Sequence, residues 1–196
     1  MPIIMRTDSD NIQHQIWAQE QGCSCSVASI WMARNQALQK TVNQDEWTLA
    51  WHIYGRVVQG MDLVPTAPMS FNPKVHPADD KTFANKWASA GIGLDQVVPA
   101  LKESGLSVKM KTMWSTPGIA SVIPQLLSDT TPAIVLLGWY GSGHRNGGHV
   151  IVASRATKSG RVVFLDPWEG QLRELGPGPA YPDGGRFEQI VYVSAK

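Results

Sequence analysis

The hydrophobic and polar positions of this chain change period two thirds of the way along. From Cys25 to Gln39 apolar residues fall at Val27, Ala28, Ile30, Trp31, Ala33 and Leu38, the spacing of one helical face, with Ser24 or the Gly22 turn to start it. Asn43 and Glu46 have the spacing of a capping box and open a second helix through Trp47, Leu49, Ala50, Ile53, Tyr54 and Val57. A third helix is expected over 94–104, ended by Gly105 and kinked at Pro99, and a fourth over 117–127 with Pro124 inside it. The residues up to about Ile16 read as an extended lead-in. Residues 60–81, with Pro65, Pro68, Pro73 and Pro77 among polar neighbours, read as a long irregular loop of functional interest.

After Pro132 the pattern is that of strands. Apolar runs at 133–137, 148–154, 161–165, 171–175 and 187–193 are punctuated by Ser159-Gly160, Pro167 and the Gly/Pro-rich 176–185, and 107–113 adds an earlier strand. Helices first and strands later predict an α+β fold with an antiparallel sheet. The 196 residues fit one domain, with a helical lobe over about 17–130 and a sheet lobe over about 131–196.

Composition narrows the chemistry. A net charge of +1 gives no bulk electrostatic reason to expect nucleic acid or an anionic membrane as partner. No apolar run approaches the ~18 residues of a membrane span, and Met1 to Asp10 lacks the basic start and apolar core of a secretory signal peptide. Export by a route that reads no such signal remains open. The two cysteines, Cys23 and Cys25, cannot staple the fold, so the chain stands on its core, which suits a reducing compartment such as the cytoplasm.

Three chemical groups stand beside elements that could fix them. Cys25 heads the first helix, where the macrodipole favours a thiolate; Cys23, in the turn before it, is the rival. His149 opens the strand Val150-Ile-Val-Ala after Gly147-Gly148, and His144 precedes it on the far side of the same glycine-rich stretch. Asp166 ends the 161–165 strand before Pro167. A hairpin turning at Lys158-Ser159-Gly160 would bring Asp166 to His149, where the carboxylate is expected to accept the imidazole Nδ1–H and fix its tautomer. Gln19, or alternatively Gln21, would join the Cys25 amide in an oxyanion hole. Gly147 and Gly148 leave room for a substrate backbone, and Trp168 is a candidate cleft wall. Each residue also has an ordinary reading: a buried structural thiol, a satisfied strand-edge histidine, an Asp-Pro turn, a surface glutamine. A zinc site from Cys23, Cys25 and a histidine lacks a second ligand cluster.

Gln19 six residues before Cys25, Ala28-Ser29 just after it, His149 at a strand start and Asp166-Pro-Trp-Glu-Gly170 seventeen residues on together resemble the papain-like cysteine peptidase superfamily. The likeness is closer to its bacterial branch, the peptidase domains that process double-glycine leaders of bacteriocins and similar stand-alone effector proteases. The chain departs from the plant-type signature, which Gly22-Cys-Ser-Cys-Ser26 only echoes, and has Ser26-Val27 where the branch often has Gly-Pro or Gly-Ala. The resemblance implies a nucleophile-bearing helical lobe packed on a sheet lobe, and endopeptidase activity on a protein or peptide substrate with small residues such as Gly-Gly before the cut. It implies no metal and no cofactor. Similar domains can be toxins whose producers carry a neutralising immunity or inhibitor protein. A deamidase, transglutaminase or amidase would use the same triad, and a degenerate binding module the same fold.

Overall fold

A computed structural model describes residues 3–42, 45–50, 53, 81, 85, 93–112, 127–176, 178 and 180–196. The expected irregular segment 60–80, most of the expected helix at 117–127, Asn43 and Met113 lie outside them.

The chain opens with a hairpin, not a simple lead-in. β1 (Ile3–Thr7) pairs antiparallel with β2 (Gln13–Trp17), Ile4 opposite Ile16. The turn is made by Asp8, whose Oδ1 accepts the N–H groups of Asp10 and Ile12, both at 2.9 Å. No Asn-Gly or Gly-rich dipeptide marks that turn; its signal is the polar run Asp8-Ser-Asp-Asn11.

The helix α1 (Cys25–Leu38) starts and ends close to the expected positions. Ten of its residues are buried, Ser26 to Ala33 in an unbroken run, so it is a core helix with sheet on one side and other elements around it. Gln39 closes it in the left-handed conformation at φ 50°, its N–H returning to the carbonyls of Asn35 and Gln36. Trp31 meets Trp17 edge-on, ring centroids 5.0 Å apart, which ties β2 to the helix.

Residues 46–50 are helical, but the cap differs from the expected box. Asp45 Oδ1 accepts the Thr48 N–H at 2.8 Å, the geometry of an N-cap, and the Glu46 carboxylate reaches out of the helix altogether. The helix α2 (Leu94–Glu103) runs through Pro99 and stops at Gly105, φ +84°.

Six strands form one antiparallel sheet in the order β3-β8-β4-β5-β6-β7: β3 (Leu106–Thr112), β4 (Ala133–Gly141), β5 (His144–Ala156), β6 (Val162–Asp166), β7 (Gln171–Leu175) and β8 (Arg186–Ala195). The architecture is α+β, as expected. The strand β3, which precedes residue 131, joins this sheet by pairing with β8.

Both faces of the central strands are covered. Ile134, Val150, Val152, Val163, Leu165, Val191 and Val193 pack with α1 and α2. Their pleat neighbours Val135, Leu137, Ile151, Phe164, Phe187 and Ile190 form a second cluster. That is why β4 and β6 read as unbroken apolar runs instead of alternating. At about 1.5–3 kcal/mol for each fully buried large side chain, these two layers fix the register of β5 against β6. Val152 stands opposite Leu165 and Ala153 opposite Phe164, with a bulge before Arg155. The turn beyond is the expected one: Gly160, φ +80°, donates its N–H to Thr157 O at 2.9 Å.

Candidate active site

Sheet register brings His149 and Asp166 together. Val152 paired with Leu165 sets the last residue of β6 beside the first half of β5, and His149 Nε2 lies 2.6 Å from Asp166 Oδ1. The ring nitrogen is the opposite of the one expected: Nε2, not Nδ1, faces the carboxylate. The imidazole has a second partner. That partner is Cys25, whose side chain hydrogen-bonds the imidazole. Side chains 124 and 17 positions away thus meet on one imidazole.

Asp166 is nearly enclosed, 5% exposed, and three donors meet it. His149 Nε2 and the Trp168 backbone N–H share Oδ1, the latter at 2.9 Å, and the Tyr181 hydroxyl donates to Oδ2 at 2.9 Å. Burial pushes the Asp166 carboxyl upward, but the His149 bond and charge and the other two donors hold it below its ordinary value. Burial alone would keep His149 neutral. The bonds to Asp166 and Cys25, with their charges, outweigh it and raise the imidazole to about 9. The upward shift favours the imidazolium, and so a positive charge beside the Cys25 side chain.

Tyr181 is the site residue that sequence reasoning missed. It is buried against Phe164, rings edge-on with centroids 5.8 Å apart, with the Arg173 guanidinium 5.8 Å above its ring. Burial and the Asp166 charge push its phenol far up, so it remains a donor. It lies in the Gly/Pro-rich stretch before β8, where its only visible signal was an aromatic residue among turn formers.

The turn after Asp166 is held by the N-terminal hairpin. Gly170 takes φ +63°, and a Cβ there would come within 2.5 Å of Ile4 Cδ1. Arg6 Nε donates to Gly170 O at 3.3 Å, and Gln19 N donates to Pro167 O at 2.9 Å. The Gln19 segment and the Asp166-Pro167 turn are thereby joined directly.

The nucleophile side is built differently. Cys25 is the first residue of α1, so its N–H has no intrahelical acceptor. Gln19 Nε2 donates to Gln21 O at 2.9 Å, which orients the carboxamide and leaves its second amide proton to spare. Gln21, the rival donor, uses its backbone for this loop: its N–H goes to Glu46 Oε1 at 3.2 Å and its carbonyl also receives the Ser24 hydroxyl at 2.9 Å. The two thiols differ. Burial first, then the charges of Cys25 and Glu46, push the Cys23 thiol up and disfavour its thiolate. Cys25, not Cys23, touches the imidazole.

The remaining candidates separate. Trp168 is 53% exposed at the rim beside Asp166, where a large apolar side chain faces solvent. The two glycines are not equivalent. Gly147 has open space where a side chain would stand, but the corresponding space at Gly148 is filled by the Arg145 guanidinium. Arg145 crosses there to a bidentate pair with buried Glu188, 2.9 and 3.0 Å. His144 stands exposed at the hairpin end of β5, away from these contacts. Among the described residues no group of three or more His, Cys, Asp or Glu could hold a metal ion, and no helix is long and apolar enough to cross a membrane.

Fold and site together define an α+β protein with a thiol, an imidazole and a carboxylate in contact at a helix start and a strand end. No protein-family model matches the chain, and no curated protein matches it.

Proposed function

We propose that the protein is a papain-like cysteine endopeptidase with Cys25 as nucleophile. The observation that carries the reading is the His149 imidazole bridging Asp166, at 2.6 Å, and the Cys25 side chain at the head of α1.

In this mechanism the Cys25 sulfur attacks the scissile carbonyl carbon, and the thiol proton resides on His149 Nδ1. The carbonyl π-bond pair moves to oxygen, where the Cys25 amide and the spare Gln19 amide proton receive it. Collapse of the tetrahedral species expels the amine, which leaves with the proton from His149. Water, deprotonated by the now neutral imidazole, attacks the thioester and releases the acid and the free thiol. Asp166 holds the ring by its Nε2 edge and stabilises each imidazolium state. Gly147 and exposed Trp168 form the rim along which an extended peptide lies, and small residues before the cut suit that open glycine.

The test is incubation with a Gly-Gly-containing peptide library at neutral pH, read by mass spectrometry. Backbone cleavage by wild type and none by Cys25→Ala supports the reading. Conversion of a side-chain amide to an acid without cleavage contradicts it and assigns the same triad to a deamidase.

A further inference from the structure

Glu46 has no role in the mechanism above, yet it is the most completely buried carboxylate near the site, 0% exposed. An enclosed carboxylate costs several kcal/mol unless it is met by charge or by donors. Burial pushes the neighbouring Cys23 thiol up, and the Glu46 charge adds to that push. Such a group is a liability to a thiol enzyme unless its bonds perform something the site needs.

Those bonds go to one place. Glu46 Oε2 accepts the Glu20 N–H at 3.0 Å and Oε1 accepts the Gln21 N–H at 3.2 Å; the Ser24 hydroxyl is a further partner. The two peptide groups that follow Gln19 are therefore both pinned to one carboxylate from a separate helical segment. Gln21, so pinned, presents its carbonyl to Gln19 Nε2. On its other side Gln19 is tied by its own N–H to Pro167 O. Without Glu46, the Glu20 amide loses this acceptor and the Gln21 amide keeps only the Ser24 hydroxyl at 3.2 Å, so the carbonyl that aims the Gln19 carboxamide is held by Ser24 alone.

We propose that Glu46 is a positioning residue for the oxyanion hole, acting through the Glu20-Gln21 backbone on Gln19. The inference rests on the peptidase reading and adds a residue to it. Glu46 touches no reacting atom. Its effect falls on stabilisation of the tetrahedral species and not on substrate affinity or on the nucleophilicity of Cys25.

The test uses the full chain with Glu46→Gln, Gln19→Ala and the double variant, on a fluorogenic Gly-Gly peptide amide, with melting curves for each. Glu46→Gln is expected to lower kcat about 10- to 100-fold with KM nearly unchanged. Alkylation of Cys25 by iodoacetamide, which forms no oxyanion, should proceed at the wild-type rate, and a Gly-Gly peptide aldehyde should bind more weakly. In the Gln19→Ala background the kcat loss should shrink to about threefold or less. If Glu46→Gln gives no cooperative melt, Glu46→Asp, which keeps the charge and withdraws it by one methylene, carries the same cycle. Equal losses in both backgrounds, or loss of alkylation in step with kcat, overturns the proposal. Wild-type protein that cleaves nothing and binds no aldehyde overturns the peptidase reading and this inference with it; a cleaving wild type with an unaffected Glu46→Gln overturns only the inference.

Discussion

Among the described residues two histidine–aspartate pairs occur, and they differ in the second partner of the ring. His149 Nε2 meets Asp166 at 2.6 Å, and the same imidazole meets the half-buried Cys25 thiol. His14 Nε2 meets Asp8 Oδ2 at 3.0 Å, and its Nδ1 lies 3.3 Å from the Ser154 hydroxyl. On paper the second set is a serine triad. Its chemistry is already spent: Ser154 donates to Gln36 Oε1 at 2.8 Å, Asp8 is shared with Arg155 at 2.8 Å and with two backbone amides, and His14 and Ser154 are both buried. An imidazole–carboxylate contact alone does not make a site. A nucleophile with an uncommitted proton and an open approach does.

The sharpest way to break this comparison is to remove the nucleophiles. Cys25→Ala should cost on the order of 10⁶ in kcat for peptide cleavage, whereas Ser154→Ala should leave kcat within about twofold and lower stability by about 1–3 kcal/mol through the orphaned Gln36 oxygen. Assay and denaturant titration of both read this directly. Next, Asp166→Asn should lower kcat by about 10⁴ by stabilising the wrong imidazole tautomer, while Asp8→Asn should leave kcat untouched.

The two pairs should also fail at opposite ends of the pH scale. His149 is raised from 6.5 to about 9, so its contribution is complete below 6.5 and disappears as pH climbs through about 9; the shift corresponds to about 3 kcal/mol. Burial pushes Asp8 up, but His14, the Ile12 amide, Arg155 and the Asp10 amide outweigh it and lower the carboxyl from 3.8 to about 2, so its contribution is present above 3.8 and is lost as pH falls towards 2. Melting temperature against pH should lose its alkaline slope in His149→Ala and part of its acid slope in Asp8→Asn. The reverse assignment would undo the distinction between the pairs.

The smallest effect sharpens the site itself. Tyr181→Phe removes one of three donors from Asp166. It should raise the Asp166 carboxyl and thereby lower His149, with kcat falling about tenfold. A kcat–pH profile with an unmoved acid limb would show that Tyr181 only fills space.

How much of this the sequence disclosed follows from how each half is built. The sheet half is set by strand pairing: apolar runs at 148–154 and 161–165 with Ser159-Gly160 between them announce the hairpin that brings residue 149 to residue 166, and only the bulge before Arg155 went unannounced. Cys25 at the head of α1 was equally legible, because helical spacing and a preceding turn are local signals. What was not legible is held by single long-range side-chain bonds. The spacing of Glu46 after Asn43 suggested a capping box, but tertiary contacts drew its carboxylate to Glu20 and Gln21, and Asp45 took the cap. Tyr181 was hidden for the same reason. The ring edge facing Asp166 depends on where the imidazole enters the cleft, which no spacing rule contains.

The most direct measurement is active-site labelling. Wild-type protein is treated at pH 7 with a Gly-Gly peptidyl acyloxymethyl ketone and analysed by intact mass and peptide mapping. The account predicts one label per chain on Cys25, none on Cys23, and loss of labelling in His149→Ala and in unfolded protein. Labelling of Cys23 in preference to Cys25, or a folded wild type that takes no label, would contradict it.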